Sequence, residues 1–186
     1  MDVVVGHLAV DKCEAFAGRV VDSYMAGRKK ASQELAVQGK PRIDNDAQVQ
    51  AVGRIAEYAM CLAAGIDPDK GLNWTSRCDS GFDLQLADRR TVDVKASSHP
   101  AARKLIWPVS KKHFLTKAAD VLVLARVLKS RKEPLGQVVE LVGWVSRKEF
   151  IGKHRLARSE PGMVDGTLYM LDTDLHPMEA LLQTKS

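Results

Sequence analysis

Apolar residues recur at helical spacing in two early parts of the chain. Between about residues 11 and 25 they fall three and four positions apart, which predicts a first amphipathic helix. A second helix is predicted from about Asp46, a residue type that caps helix N-termini, to residue 64, and Gly65 is expected to end it. Residues 27–45 between the two are polar and basic, which predicts a loop with a short helical piece or a mobile arm.

After the second helix, the spacing of apolar residues changes to the alternation typical of strands. The run FDLQLADRRTVDVKAS places two short alternating segments on either side of a charged turn, and this predicts a β-hairpin. Residues 108–118 have helical potential, whereas residues 121–128 and 137–145 are largely apolar and predict buried strands. Towards the end we expect a short helix at RKEFI and one strand at residues 167–171.

The order helix, hairpin, helix, strand, strand predicts an α/β fold with a mixed sheet. The chain has 186 residues, 45% of them hydrophobic, which suits one core and therefore one domain. We expect an N-terminal helical extension over residues 1–45, a core over about residues 46–150 and a C-terminal tail over residues 151–186.

Several function classes lose support from composition. No stretch reaches about 18 consecutive apolar residues, and the N-terminus meets acidic residues before any signal-type apolar segment, so we expect a cytoplasmic protein, or a nuclear one if its host has a nucleus. Cys13, Cys61 and Cys78 are widely spaced, which argues against a disulfide framework or a zinc cluster and predicts buried, reduced thiols. No phosphate-binding glycine motif and no metal spacing of histidines is present.

The charge balance favours an anionic partner such as nucleic acid. The formal net charge is +5 and the isoelectric point is about 9.2, with basic residues concentrated in the middle of the chain. The alternative is that this basic run is only a solvated surface. The residues predicted to contact nucleic acid are Arg103, Lys104, Lys111, Lys112 and His113.

The segment TVDVKA carries the most informative pair of polar residues. Side chains alternate along a strand, so Asp93 and Lys95 share one face while the valines anchor the other. Asp83, in the preceding strand, reaches their side only if the connecting loop has an odd length or a bulge intervenes. The two aspartates and the Val94 carbonyl would then offer oxygen ligands to Mg²⁺, for which Mn²⁺ could substitute. The alternative is an exposed charged edge of a hairpin.

Glu57 lies on a helical stripe of otherwise small or apolar residues, which predicts that it faces inward. A buried carboxylate needs a partner, and a metal ion bound directly or through water would provide one. The alternative is a helix-surface acid that pairs with Arg54. Asp79 and Asp88 are rival ligands, but both lie in turns where aspartate commonly caps the local backbone.

Three segments, RIAEYAMCLAAGI, GFDLQL and TVDVKAS, together resemble the motifs of the PD-(D/E)xK, or restriction-endonuclease-like, nucleases. The resemblance spans about residues 53–127. It implies an αβββαβ core, Mg²⁺ dependence, Asp83 and Asp93 as metal ligands, Lys95 as the catalytic lysine and Glu57 as an accessory acid. One departure is the pair Gly81-Phe82, which stands where the family motif has a proline before the first acid.

The sequence therefore predicts a Mg²⁺-dependent endonuclease that hydrolyses DNA phosphodiester bonds, with RNA left open as a substrate. Two alternatives remain: a nucleic-acid-binding module of the same fold that does not cut, and a junction-resolving nuclease, which would need a homodimer to cut two strands. The small layout also resembles that of nucleases encoded by phages or mobile elements.

Overall fold

The computed structural model describes residues 1–31, 47–75, 81–107, 119–128, 136–159 and 163–183. The helices in these ranges are α1 (His7–Ala31), α2 (Ala47–Ala63), α3 (Pro68–Gly71), α4 (Arg147–Lys153) and α5 (Met178–Leu182). The strands are β1 (Asp2–Val5), β2 (Leu84–Gln85), β3 (Thr91–Ser97), β4 (Lys104–Trp107), β5 (Val121–Leu128), β6 (Gln137–Ser146), β7 (Arg155–Leu156) and β8 (Leu168–Leu171).

The strands form two sheets, and the larger one is mixed. Its order is β1-β6-β5-β3-β2, in which β3 and β5 run parallel and every other neighbouring pair is antiparallel. The smaller sheet is antiparallel, with the order β4-β8-β7. The chain thus has a mixed α/β fold.

Strand β5 lies in the middle of the larger sheet and separates two hydrophobic cores. One set of its side chains, including Val121 and Val123, packs with α2 and with Val92 and Val94 of β3. The alternate set packs on the opposite face with the smaller sheet and α4, in a cluster of Leu105, Trp107, Leu122, Leu124, Val145, Phe150, Leu168 and Met170. This is why the sequence of β5 is an almost continuous apolar run.

A charged network fastens the smaller sheet to the larger one. The Arg126 side chain is 13% exposed, and its guanidinium donates to both carboxylate oxygens of Glu140 at 3.0 and 3.1 Å. It also donates to Asp172 at 2.8 Å and to the carbonyl of Ala102, two residues before β4 begins, at 2.6 Å. Because Arg126 belongs to β5, these bonds set the position of β4 relative to the central strands.

Most of the elements predicted from the pattern are confirmed. The second helix ends before Gly65, which has a φ of +68° as a left-handed terminator should. The hairpin, both apolar strands, the short helix α4 and the strand β8 all occur near their predicted places. The first helix is longer than the periodicity indicated, because α1 begins at His7.

Two predictions about the N-terminal and middle regions need correction. Residues 1–45 were expected to be a helical extension, but β1 pairs with β6 as an edge strand of the larger sheet. The strand β4 was not predicted, because its four residues give too short an alternation to recognise. Asp46, most of the arm at residues 27–45, and the helix predicted at 108–118 lie outside the described residues.

None of the helices in the described part of the chain is both long enough and apolar enough to span a membrane.

Gly136→Ala should lower the free energy of unfolding by roughly 1–3 kcal/mol. Gly136 has a φ of +123°, and an added Cβ would overlap the carbonyl oxygen of Val5, where β1 approaches β6. Gly53→Ala is the matched control: nothing lies within 4 Å of its added Cβ on α2, so a gain of roughly 0.5–1 kcal/mol is expected. Urea denaturation measures the free energy of unfolding of both variants. Equal changes in the two would contradict the predicted clash at Gly136.

Candidate active site

The β2–β3 hairpin meets the geometric condition set by the sequence. Leu84 pairs with Val92 and Gln85 with Thr91, which leaves residues 86–90, an odd number, between the paired positions. Just beyond β2, the Asp83 amide donates to the Val92 carbonyl at 2.8 Å, although Val92 is already opposite Leu84. The ladder is therefore one residue out of step at Asp83, as at a β-bulge.

This irregularity places the Asp83 carboxylate at the edge of β3. Its Oδ2 accepts a hydrogen bond from the Val94 amide at 2.7 Å, so the side chain occupies a position that a longer β2 would fill with backbone. In an extended strand the amide and carbonyl of one residue point to the same side. The Val94 carbonyl is therefore directed to the same edge as the Asp83 carboxylate, as a shared metal site would require.

Asp93 and Lys95 occupy one face of β3, as the alternation predicted. They lie opposite Leu122 and Leu124 of β5, on the face that packs against the smaller sheet. Lys95 Nζ is 2.6 Å from Asp93 Oδ1 and 5.0 Å from the centre of the Trp107 ring. Asp93 is only 8% exposed, and this ion pair compensates for its burial.

Glu57 approaches the hairpin from the other side. Helix α2 packs on the face of β3 that carries Val92 and Val94, opposite the face of Asp93 and Lys95. Glu57 Oε2 lies 2.7 Å from Arg54 Nη1, so the pairing that the sequence left open as an alternative is present. The pair is not a surface one, because only 15% of the Glu57 side chain and 13% of the Arg54 side chain are exposed.

The electrostatics of Asp83 connect these two sides. Burial raises the pKa of Asp83 well above its usual range, and the negative charges of Glu57 and then Asp93 raise it further. The hydrogen bond from the Val94 amide and the charge of Lys95 act in the opposite direction without cancelling the shift. The Asp83 edge is thus where carboxylates from both faces influence one another, and a cation there would relieve their repulsion.

The side chains as placed do not form a closed metal site. Among the described residues, no group of three His, Cys, Asp or Glu side chains stands close enough together to hold a metal ion. Asp93 is turned to Lys95 and Glu57 to Arg54. The candidate ligands are the Asp83 carboxylate, the Val94 carbonyl and, once it turns from Lys95, the Asp93 carboxylate. All three are oxygen ligands, and this chemistry fits Mg²⁺.

The basic residues predicted to contact nucleic acid are described only in part. Arg103 Nε donates to Asp172 at 3.2 Å, yet 63% of its side chain is exposed. Lys104 lies 4.7 Å from the centre of the Tyr169 ring and belongs to β4. Lys111, Lys112 and His113 lie outside the described residues.

Two expected structural roles are confirmed near the site. Asp88 caps its own turn, since its carboxylate accepts from the Arg90 amide at 3.0 Å, whereas Asp79 lies outside the described residues. Cys13 and Cys61 are free and buried, and burial raises the pKa of each thiol to about 12, so both stay protonated at neutral pH. Cys78 lies outside the described residues.

Trp107 is a neighbour of the site that the sequence pattern did not indicate. It is 4% exposed and lies beneath Lys95. Nothing in the local pattern links positions 95 and 107, because β4 belongs to a different sheet from β3.

The chain matches none of the protein-family models, curated proteins or solved structures with which it was compared.

Asp83→Asn should stabilise the cation-free protein at neutral pH. The amide keeps an oxygen that can accept from Val94 while removing a charge that the folded state disfavours. Because a raised carboxyl pKa gives stability that is lost as pH rises, the advantage of the variant should shrink towards about pH 4, where the Asp83 carboxyl is protonated in the unfolded chain as well as in the folded protein. Urea denaturation in EDTA at both pH values measures it.

Asp120→Asn is the matched control with the opposite sign. Hydrogen bonds from the amide and hydroxyl of Thr91, at 3.1 and 3.0 Å, lower the pKa of Asp120. A lowered pKa gives stability that is present at neutral pH and lost as pH falls, so this variant should be destabilised near neutrality and less so in acid. A loss of stability at neutral pH in both variants would contradict the electrostatic account of Asp83.

Proposed function

We propose that this protein is a Mg²⁺-dependent nuclease of the restriction-endonuclease-like class that hydrolyses DNA phosphodiester bonds internally. One observation carries the proposal. The carboxylate of Asp83, whose pKa is raised, accepts a hydrogen bond from the Val94 amide of β3, the strand that also presents Asp93 and Lys95. Such an oxygen-rich edge beside a lysine suits a hard cation and a phosphate.

The order of elements supports the same proposal. From α2 onward the described chain runs α2, the short helix α3, β2, β3, β4 and then β5, which is parallel to β3. A parallel neighbour needs a crossover connection, and the predicted helix at residues 108–118 lies in that connection. These elements support the αβββαβ order implied by the resemblance, with the differences that α3 intervenes and that β4 pairs in the smaller sheet.

Each residue at the edge has a distinct role in the proposed reaction. Asp83, Asp93 and the Val94 carbonyl would hold Mg²⁺, with Glu57 as an accessory acid acting directly or through water. When bound, the cation supplies positive charge to the phosphate and lowers the pKa of a coordinated water. Lys95, once Asp93 turns away from it, orients the attacking water as an ammonium or, in its neutral amine form, accepts a proton from that water. The Trp107 ring limits where the Lys95 amino group can go.

A polyanionic substrate agrees with the charge of the chain. The net charge is +5, and the exposed Arg103 offers one contact to a phosphate backbone. We infer a cytoplasmic protein, or a nuclear one in a host with a nucleus, because either location gives access to DNA. RNA, branched DNA and a homodimeric arrangement remain alternatives within the same chemistry.

A nucleic-acid-binding module that does not cut is the second candidate. One observation favours it: both Asp93 and Glu57 already have a basic partner at 2.6 and 2.7 Å, so their burial has a structural explanation without a metal. Under this alternative the protein would bind nucleic acid with the same affinity in Mg²⁺ and in EDTA and cleave none.

Asp93→Ala and Lys95→Gln should each reduce cleavage by at least about 100-fold, the loss typical when a group that stabilises the transition state is removed. Asp88→Asn should cut normally, because Asp88 serves its local turn. The assay incubates purified protein with linear, closed circular, single-stranded and branched DNA and with RNA, in Mg²⁺, Mn²⁺ or EDTA. Thermal unfolding of each variant separates loss of activity from loss of fold.

The substrates in this assay separate the alternatives. Cutting of the closed circle establishes endonuclease action, and preference for branched DNA by a dimer favours the junction-resolving alternative. Binding without cleavage in either metal selects the non-cutting module. Full activity of Asp93→Ala would overturn the proposed site even if the protein cuts DNA.

A further inference from the structure

Arg54 is held more tightly than an ordinary helix-surface arginine. Its guanidinium carbon lies 4.2 Å from the centre of the Phe16 ring of α1 and 5.4 Å from the centre of the Trp74 ring. Phe16 and Trp74 contact each other edge to face, with ring centres 5.6 Å apart. Two aromatic side chains from separate segments thus fix the guanidinium on α2.

Arg54, held by these aromatic contacts, forms an ion pair with the carboxylate of Glu57. Arg54 Nη1 lies 2.7 Å from Glu57 Oε2, whereas Arg54 Nε is buried and has no hydrogen-bond partner among the described residues. Burying the Arg54 Nε donor without a hydrogen-bond partner is unfavourable, so hydrogen bonds alone do not explain why the guanidinium lies here. The ion pair with Glu57 explains the position of the guanidinium better.

Glu57 needs this counter-charge because of what lies beyond it. Helix α2, which carries Glu57, packs on one face of β3, and Asp93 lies on the other. The negative charge of Glu57 and that of Asp93 both raise the pKa of Asp83. Without Arg54, the folded protein would hold these negative charges together with one fewer compensating cation. A divalent cation bound at the edge would also compensate these negative charges.

We propose that Arg54 is a positioning residue that sets the cation affinity of the site by neutralising and holding Glu57. The inference rests on the proposed metal-dependent function. In the cation-free protein Arg54 substitutes for the metal charge on the α2 side, so Asp83, Asp93 and the Val94 carbonyl bind the cation first. Glu57 contributes only to the extent that its pair with Arg54 opens, and the affinity of the site is lower as a result.

The linkage between the pair and the cation gives a direct test. Arg54→Met keeps an aliphatic stem against Phe16 but removes the charge, and it should tighten binding of Mn²⁺ alone by a factor of about 5 or more. Arg54→Lys keeps a positive charge and should bind Mn²⁺ nearly as the wild type does. Isothermal titration calorimetry without nucleic acid measures these affinities independently of cleavage.

A double-mutant cycle identifies Glu57 as the intermediary. In a chain that also carries Glu57→Gln, the Arg54→Met substitution should change Mn²⁺ affinity by less than about twofold, because no carboxylate remains to be released. A merely structural role of Arg54 would lower stability in every background and leave this coupling absent. If Arg54→Met does not fold, Arg54→Gln replaces it in the cycle, since its amide also lacks the charge.

The outcomes distinguish this inference from the proposed function. Wild-type protein that binds Mn²⁺ while Arg54→Met binds it no more tightly overturns the role of Arg54 and leaves the nuclease proposal standing. Equal tightening with and without Glu57→Gln overturns the role of Glu57 as intermediary. Wild-type protein that binds no divalent cation overturns both proposals.

Discussion

The parallel pairing of β3 with β5 is the constraint on which the candidate site depends. Because β5 is buried on both faces, β3 must present Val92 and Val94 to the α2 core, and its polar positions then face the smaller sheet. The start of this pairing is fixed by Asp120, which accepts from both the amide and the hydroxyl of Thr91. A shift of one residue would exchange the faces and bury Asp93 and Lys95 under α2.

A second constraint comes from the shortness of β2. With two residues in the strand, the ladder ends at Leu84, and the Asp83 side chain satisfies the Val94 amide in place of backbone. The edge of β3 therefore carries a carboxylate, and the Val94 carbonyl is directed to the same side. Ending a strand early is a simple way to combine a continuous core with a polar site at its border.

The distribution of charge around this edge follows from burial. Each carboxylate that is taken out of water needs a compensating group, and the chain supplies a different one on each face: Lys95 for Asp93 and Arg54 for Glu57. Asp83, between them, has a backbone amide and keeps a raised pKa. The remaining unfavourable free energy of burying negative charge is therefore concentrated at the Asp83 carboxylate, and a cation would have its largest effect there.

The sequence by itself determined the local features of this protein. Helical spacing located α2, alternation located the hairpin, and the two-residue period put Asp93 and Lys95 on one face, because these depend on near neighbours along the chain. The alternation also implied that an odd-length turn between β2 and β3 would bring Asp83 to the side of Asp93, and the register of the hairpin has such a turn. Glu57 was correctly expected to be largely buried, since its stripe is otherwise small and apolar.

Only the tertiary structure decided which distant groups meet at the edge. No local pattern relates Trp107 to Lys95 or Phe16 to Arg54, because those contacts depend on how β4 and α1 pack. The same holds for β1, whose four residues form a strand because β6 offers an unpaired edge. Long-range packing also placed Glu57 on the face opposite Asp93, which a one-dimensional period cannot specify.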